Sequence, residues 1–155
     1  MGFFTELVGD FFNGFQQLQV EAPGRIQQLC RELGWAAERD GDTLHLTFNV
    51  GREQRLVSIR EGNDSLPLFL CLSMALLPPE RVPPNVYGYL LNRNSELAVA
   101  SWQVIERQDG MASFALCYRA LGPGLNAGVF KCICTEMVEE ATAFDQKMWQ
   151  TGLLR

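Results

Sequence analysis

Gln108-Asp109-Gly110 stands between two β-rich stretches, residues 98–107 and 111–121, and Asp-Gly is the pair that a type I′ hairpin favours. The chain is committed to antiparallel pairing there. With Asp109 and Gly110 as the two loop residues, Trp102 falls opposite Cys117 and Ile105 opposite Phe114. Both faces of that hairpin carry apolar groups, so both need cover.

The rest of the chain supplies neighbours for this hairpin. Residues 43–50 alternate apolar with polar, the pattern of a half-buried strand, and Gly51 begins a tight connection to a second strand over 55–60. An apolar run, 66–77, makes a third and gives an antiparallel meander. Pro83-Pro84 places a proline at the opening of a short helix ending near Asn94, with Val86, Tyr87, Leu90 and Leu91 as its apolar positions. Residues 25–37 carry apolar residues at helical spacing, and so does a long final stretch through Val129, Ile133, Met137, Ala141, Phe144 and Met148. The expected architecture is α+β: an antiparallel sheet of about five strands, β-β-β-α-β-β, with flanking N- and C-terminal helices.

The cover for a second sheet face is legible at the start of the chain. Phe3, Phe4, Leu7, Val8, Phe11, Phe12, Phe15 and Leu18 fall on one helical stripe, which predicts an amphipathic aromatic helix over 1–20 ahead of a single domain over 24–150. Gly9 and Gly14 each lower its intrinsic helicity by about 1 kcal/mol, so the helix is expected to be ordered only when packed. It can dock on the sheet, in a symmetric dimer, or on a membrane surface. The last is disfavoured because Glu6 and Asp10 have no Lys or Arg beside them in that segment to meet anionic lipid.

Composition removes several function classes. A chain of 155 residues, 47% hydrophobic and 20% charged, can bury about 70% of its unfolded surface as one domain. With Lys+Arg 13 against Asp+Glu 18, a net charge of −5 and no basic run, nucleic acid is not an expected partner. No apolar stretch is long enough for a transmembrane helix, and a secretory signal is not supported. The five cysteines, four within apolar periodic segments, read as buried reduced thiols, which points to the cytoplasm.

No residue set specifies a reaction. Cys132 and Cys134 point to different faces of a helix and form no dithiol. His45, the only histidine, lies on the polar face of its strand with no nucleophile named by the sequence beside it. Glu136, Glu139 and Glu140 are dense enough to attract a metal, but a solvated helix face is the better reading. The Gly-rich loop 122–128 opens a helix without the P-loop pattern. No catalytic residue, metal or cofactor is expected, and the chain is not expected to be an enzyme.

Two stretches carry a resemblance: 86–97 (VYGYLLNRNSEL) running into the strand with Trp102, and 114–121 (FALCYRAL) followed by the terminal helix through Phe144. With residues 44–72 they cover roughly 24–150, and the pattern resembles the YbjN-like family and the type III secretion chaperone-like fold. The resemblance implies a small acidic protein, usually dimeric and without catalysis, that holds a segment of another protein in an apolar groove. On that basis Phe3, Phe4, Leu7, Phe11, Phe12, Phe15 and Trp102 are expected to meet a protein partner. Val86, Tyr87, Leu90 and Leu91 are expected at a homodimer contact. The competing expectation is a small-molecule sensor or enzyme with an apolar pocket between sheet and helices.

Overall fold

Gly34 ends the first described helix. In the computed structural model, which describes residues 24–61 and 66–153, α1 spans Arg25–Glu32 and closes in a Schellman motif. The Trp35 N–H donates to the Cys30 carbonyl (2.8 Å), the Gly34 N–H donates to the Arg31 carbonyl (3.1 Å), and Gly34 has φ 67°. The sequence spacing extended this helix to residue 37; the left-handed glycine stops it earlier and frees Trp35 to pack on Phe48 and Phe130.

Six strands follow, all antiparallel: β1 (Glu38–Asp40), β2 (Thr43–Val50), β3 (Glu53–Arg60), β4 (Leu68–Leu77), β5 (Ser101–Glu106) and β6 (Ala112–Arg119). The sheet order is β1-β2-β3-β4-β6-β5. The strand beyond the expected five is β1, three exposed charged residues with no alternation to betray them. A charged, short edge strand of this kind discourages edge-to-edge association.

The crossover from β4 to β5 runs through α2 (Pro84–Glu96), and β6 is followed by α3 (Ala127–Gln150), capped by the Asn126 side chain accepting from the Val129 N–H at 3.0 Å. One large core joins α1, α2 and α3 to one sheet face, with Phe69, Phe114, Phe130 and Phe144 fully buried at its centre.

The hairpin register corrects the expected pairing. Trp102 lies opposite Leu116 and Ile105 opposite Ser113, one residue away from the arrangement that a two-residue loop would give. The loop has a third residue: the Arg107 N–H donates to the Met111 carbonyl and the Gly110 N–H to the Arg107 carbonyl, with Gly110 at φ 77°. A three-residue loop with glycine in the left-handed region is the next commonest hairpin closure. It aligns Trp102, Phe114 and Leu116 on the helix-covered face and leaves Ala115 and Cys117 on the other.

Candidate functional site

The second sheet face is apolar along β4 and β6. Leu68, Leu70 and Leu72 alternate along β4 with Phe69 and Cys71, which face the helices. Ala115 and Cys117 do the same on β6, and Ile105 of β5 packs at the margin. The five central residues form one hydrocarbon strip of 0–7% exposure, and Ser58 of β3, opposite Leu70 in register, is buried as well. Burial pushes the Cys117 thiol up to about 12. The strip carries no charged group, and its one thiol is held protonated by burial.

The residues expected at interfaces separate into two groups. Val86 and Leu90 turn from α2 into the main core, while Tyr87 and Leu91 turn outward, Leu91 with 70% exposure. Trp102 is 4% exposed, its ring against Phe144 and its indole N–H donating to Glu140 at 3.0 Å. Phe3, Phe4, Leu7, Phe11, Phe12 and Phe15 lie outside the described residues.

Glu140 corrects the reading of the acidic cluster as a solvated face. It accepts two bonds from the Arg93 guanidinium, at 3.0 and 2.6 Å, besides the Trp102 indole. Burial alone would raise its carboxyl, but the Arg93 and Trp102 hydrogen bonds outweigh it and hold the group below its ordinary range. Glu136, one turn earlier, accepts from the Val99 N–H at 3.1 Å. Two carboxylates expected on a solvated face thus tie Arg93 of α2, Val99 and Trp102 of β5 to α3.

His45 has a neighbour that the sequence reading missed. Its Nδ1 stands 2.9 Å from the Ser58 Oγ across β2 and β3. The pairing follows from a two-residue Gly51-Arg52 turn, shorter than the expected connection to a strand beginning at 55. Burial lowers the imidazole pKa against the opposing pull of Asp40 and Glu38. Ser58 is 1% exposed, so the pair serves as a satisfied cross-strand contact rather than an accessible nucleophile and base.

Cys132 is exposed and Cys134 buried, on different helix faces as expected, and Cys30 and Cys71 are buried in the core with raised thiols. Among the described residues, no group of three His, Cys, Asp or Glu side chains is placed to hold a metal ion, and no helix is long and apolar enough to cross a membrane.

The described residues make a two-layer α+β fold, a six-stranded β-β-β-β-α-β-β sheet with a long closing helix, and this fold is of the secretion chaperone-like kind. The model of the YbjN family, described as "Putative bacterial sensory transduction regulator", matches residues 22–148, and the chain belongs to that family. YbjN from E. coli superposes with a TM-score of 0.62 at 16% identity, over 88% of this chain and 97% of that one. A chain of the HopA1-SchA chaperone-effector complex superposes with a TM-score of 0.56 at 11% identity, over 77% of this chain and 88% of that one. No curated protein matches the chain.

Proposed function

We propose that this chain is a non-catalytic, chaperone-like binding module that holds an amphipathic segment of a protein partner, acting as a homodimer in the cytoplasm. The observation that carries the reading is the strip of Leu68, Leu70, Leu72, Ala115 and Cys117 on the face opposite α1, α2 and α3. Hydrocarbon spread over adjacent strands, without a converging set of polar groups, suits the apolar stripe of another polypeptide better than a small metabolite. The likeness to a chain of a chaperone-effector complex supports the same class of role.

Dimerisation is assigned to Tyr87 and Leu91, the outward half of the α2 apolar set. Their neighbours Val86 and Leu90 anchor the helix beneath them. The five free thiols suit a reducing compartment.

Fluorescence-anisotropy titration of the full chain with labelled 18-residue peptides tests the binding role. Peptides with an i, i+3, i+4, i+7 aromatic stripe are expected to bind saturably, and scrambled peptides of equal composition to bind at least ~10-fold more weakly. Equal binding of the two sets would overturn the reading.

A further inference from the structure

The two edges of the sheet differ. β1 closes one edge with three charged residues. β5 closes the other with Ser101-Trp-Gln-Val-Ile-Glu106, in unbroken register with β6, with a single charge and no proline. An edge strand left in that state offers its main chain to another strand.

Asn94 shows which main-chain groups of β5 face outward. Its side-chain amide donates to the Trp102 carbonyl at 3.0 Å, and its side-chain oxygen accepts from the Trp102 N–H, so both Trp102 groups point away from β6. Successive residues of a strand alternate in direction. Ser101, Gln103 and Ile105 therefore bond to β6, while Val104 and Glu106 turn their N–H and C=O groups to the open edge. Among the described residues, no partner meets these groups.

α2 flanks the same edge. Leu91 lies three residues before Asn94 and Tyr87 four before Leu91, so the exposed stripe of α2 runs along the side on which Asn94 reaches β5. Val104, opposite Phe114 in register, is exposed on the sheet face that α2 covers.

We propose that β5 pairs antiparallel with β5 of a second copy about a two-fold axis through Ile105, joining two sheets into one. A second copy is the occupant that fits, because a strand edge presenting donors and acceptors at alternate residues is complementary to its own two-fold image. The Tyr87 and Leu91 contact assigned to the dimer above adjoins this edge. The pairing rests on that dimer reading and adds to it the strand pair and its register.

The side chains select the register. An axis through Val104 would set Glu106 opposite the partner's Trp102, whose outward groups Asn94 already occupies. An axis through Glu106 would bring two carboxylates face to face, an unfavourable cross-strand pair. With the axis through Ile105, Val104 lies opposite the partner's Glu106, the outward N–H and C=O of each are satisfied, and Asn94 keeps its place. Ile105 packs at the margin of the apolar strip, so the strips of the two copies come to lie on the same face of one continuous sheet.

Oxidative cross-linking of the full chain with copper phenanthroline, after Cys132→Ser removes the exposed thiol, tests the register. Ile105→Cys is expected to give a covalent dimer on a non-reducing gel, since residues facing each other at a non-hydrogen-bonded position have Cα atoms about 4.5 Å apart, within the span of a disulfide. Gln103→Cys, on the same face, is expected to stay uncrosslinked, its two copies standing more than about 13 Å apart. Val104→Pro removes an N–H that bonds nothing within the chain, a change tolerated at an open edge. It is expected to leave the melting temperature nearly unchanged and to weaken dimerisation at least ~10-fold by sedimentation equilibrium.

A dimer that resists Val104→Pro and fails to cross-link through Ile105→Cys would overturn the edge pairing and leave the Tyr87 and Leu91 contact standing. Equal cross-linking through Ile105→Cys and Gln103→Cys would overturn it as well. Should Val104→Pro unfold the chain, the two cysteine variants decide alone. A wild-type chain that stays monomeric at the highest concentration reached would remove the dimer reading and this pairing with it.

Discussion

Arg55 of β3 and Asp145 of α3, 90 residues apart, form an ion pair with both side chains buried, and Asp145 also takes the Ser73 hydroxyl and the Met74 N–H. The pairing of β4 with β6 is irregular between Leu72 and Leu76. A backbone N–H released from the ladder at that irregularity needs an acceptor, and Asp145 provides it. The closing helix is thereby fixed in register against the sheet.

Removing one member leaves the other charged and dry. Asp145→Ala is expected to destabilise the fold by about 3–5 kcal/mol in urea unfolding. Replacing both residues by apolar side chains of similar volume, Arg55→Met with Asp145→Leu, should cost clearly less than the single change. Equal losses would mean that packing, not charge, holds the contact.

The two halves of the α2 stripe separate stability from association. Leu90→Asp is expected to lower stability by about 3 kcal/mol or more, because it places a carboxylate in the core. Leu91→Asp, at an exposed position, should leave the melting temperature nearly unchanged and convert a dimer into a folded monomer of 17.4 kDa by light scattering. An unchanged mass would exclude this contact.

Acid should lower the stability over two pH ranges. His45 has a folded pKa below its ordinary 6.5, so the unfolded chain binds the extra proton and stability falls as pH drops below 6.5. Above that value its contribution is fully present. His45→Gln should flatten the dependence between pH 7 and the folded pKa, as read from urea midpoints.

Glu140 acts lower on the scale. Its carboxyl is depressed below 4.5, so its stabilisation is present above 4.5 and lost as pH falls through the folded value. Glu140→Gln is expected to reduce stability at pH 7 and to weaken the slope below pH 4.5. Near-ultraviolet circular dichroism of the Trp102 indole, which donates to this carboxylate, is the local readout.

Much of the fold was readable because it rests on local periodicity. The alternation in 43–50 and 55–60, the apolar run into β4 and the proline at the start of α2 each mark an element without tertiary help. What escaped depends on contacts distant in sequence. β1 is a strand only because β2 accepts it as a neighbour, and its Glu-Arg-Asp sequence carries no apolar phase. The hairpin slipped by one residue because Asp-Gly serves both two- and three-residue loops, and the backbone around Gly110 decides between them. Glu140 looked solvated because its partners, Arg93 and Trp102, come from two other elements. The apolar phase of β4 and β6 was visible, but which of its two faces meets the helices is a property of the assembled sheet.

The most direct measurement is a calorimetric titration of the chain with a synthetic 18-residue peptide carrying an i, i+3, i+4, i+7 aromatic stripe, against the same titration of the chain carrying Leu70→Gln. The account predicts saturable one-to-one binding to the unsubstituted chain and binding at least ~10-fold weaker to the Leu70→Gln chain. No saturable binding to the folded unsubstituted chain would contradict the assignment of the β4 and β6 face as a surface for a polypeptide segment.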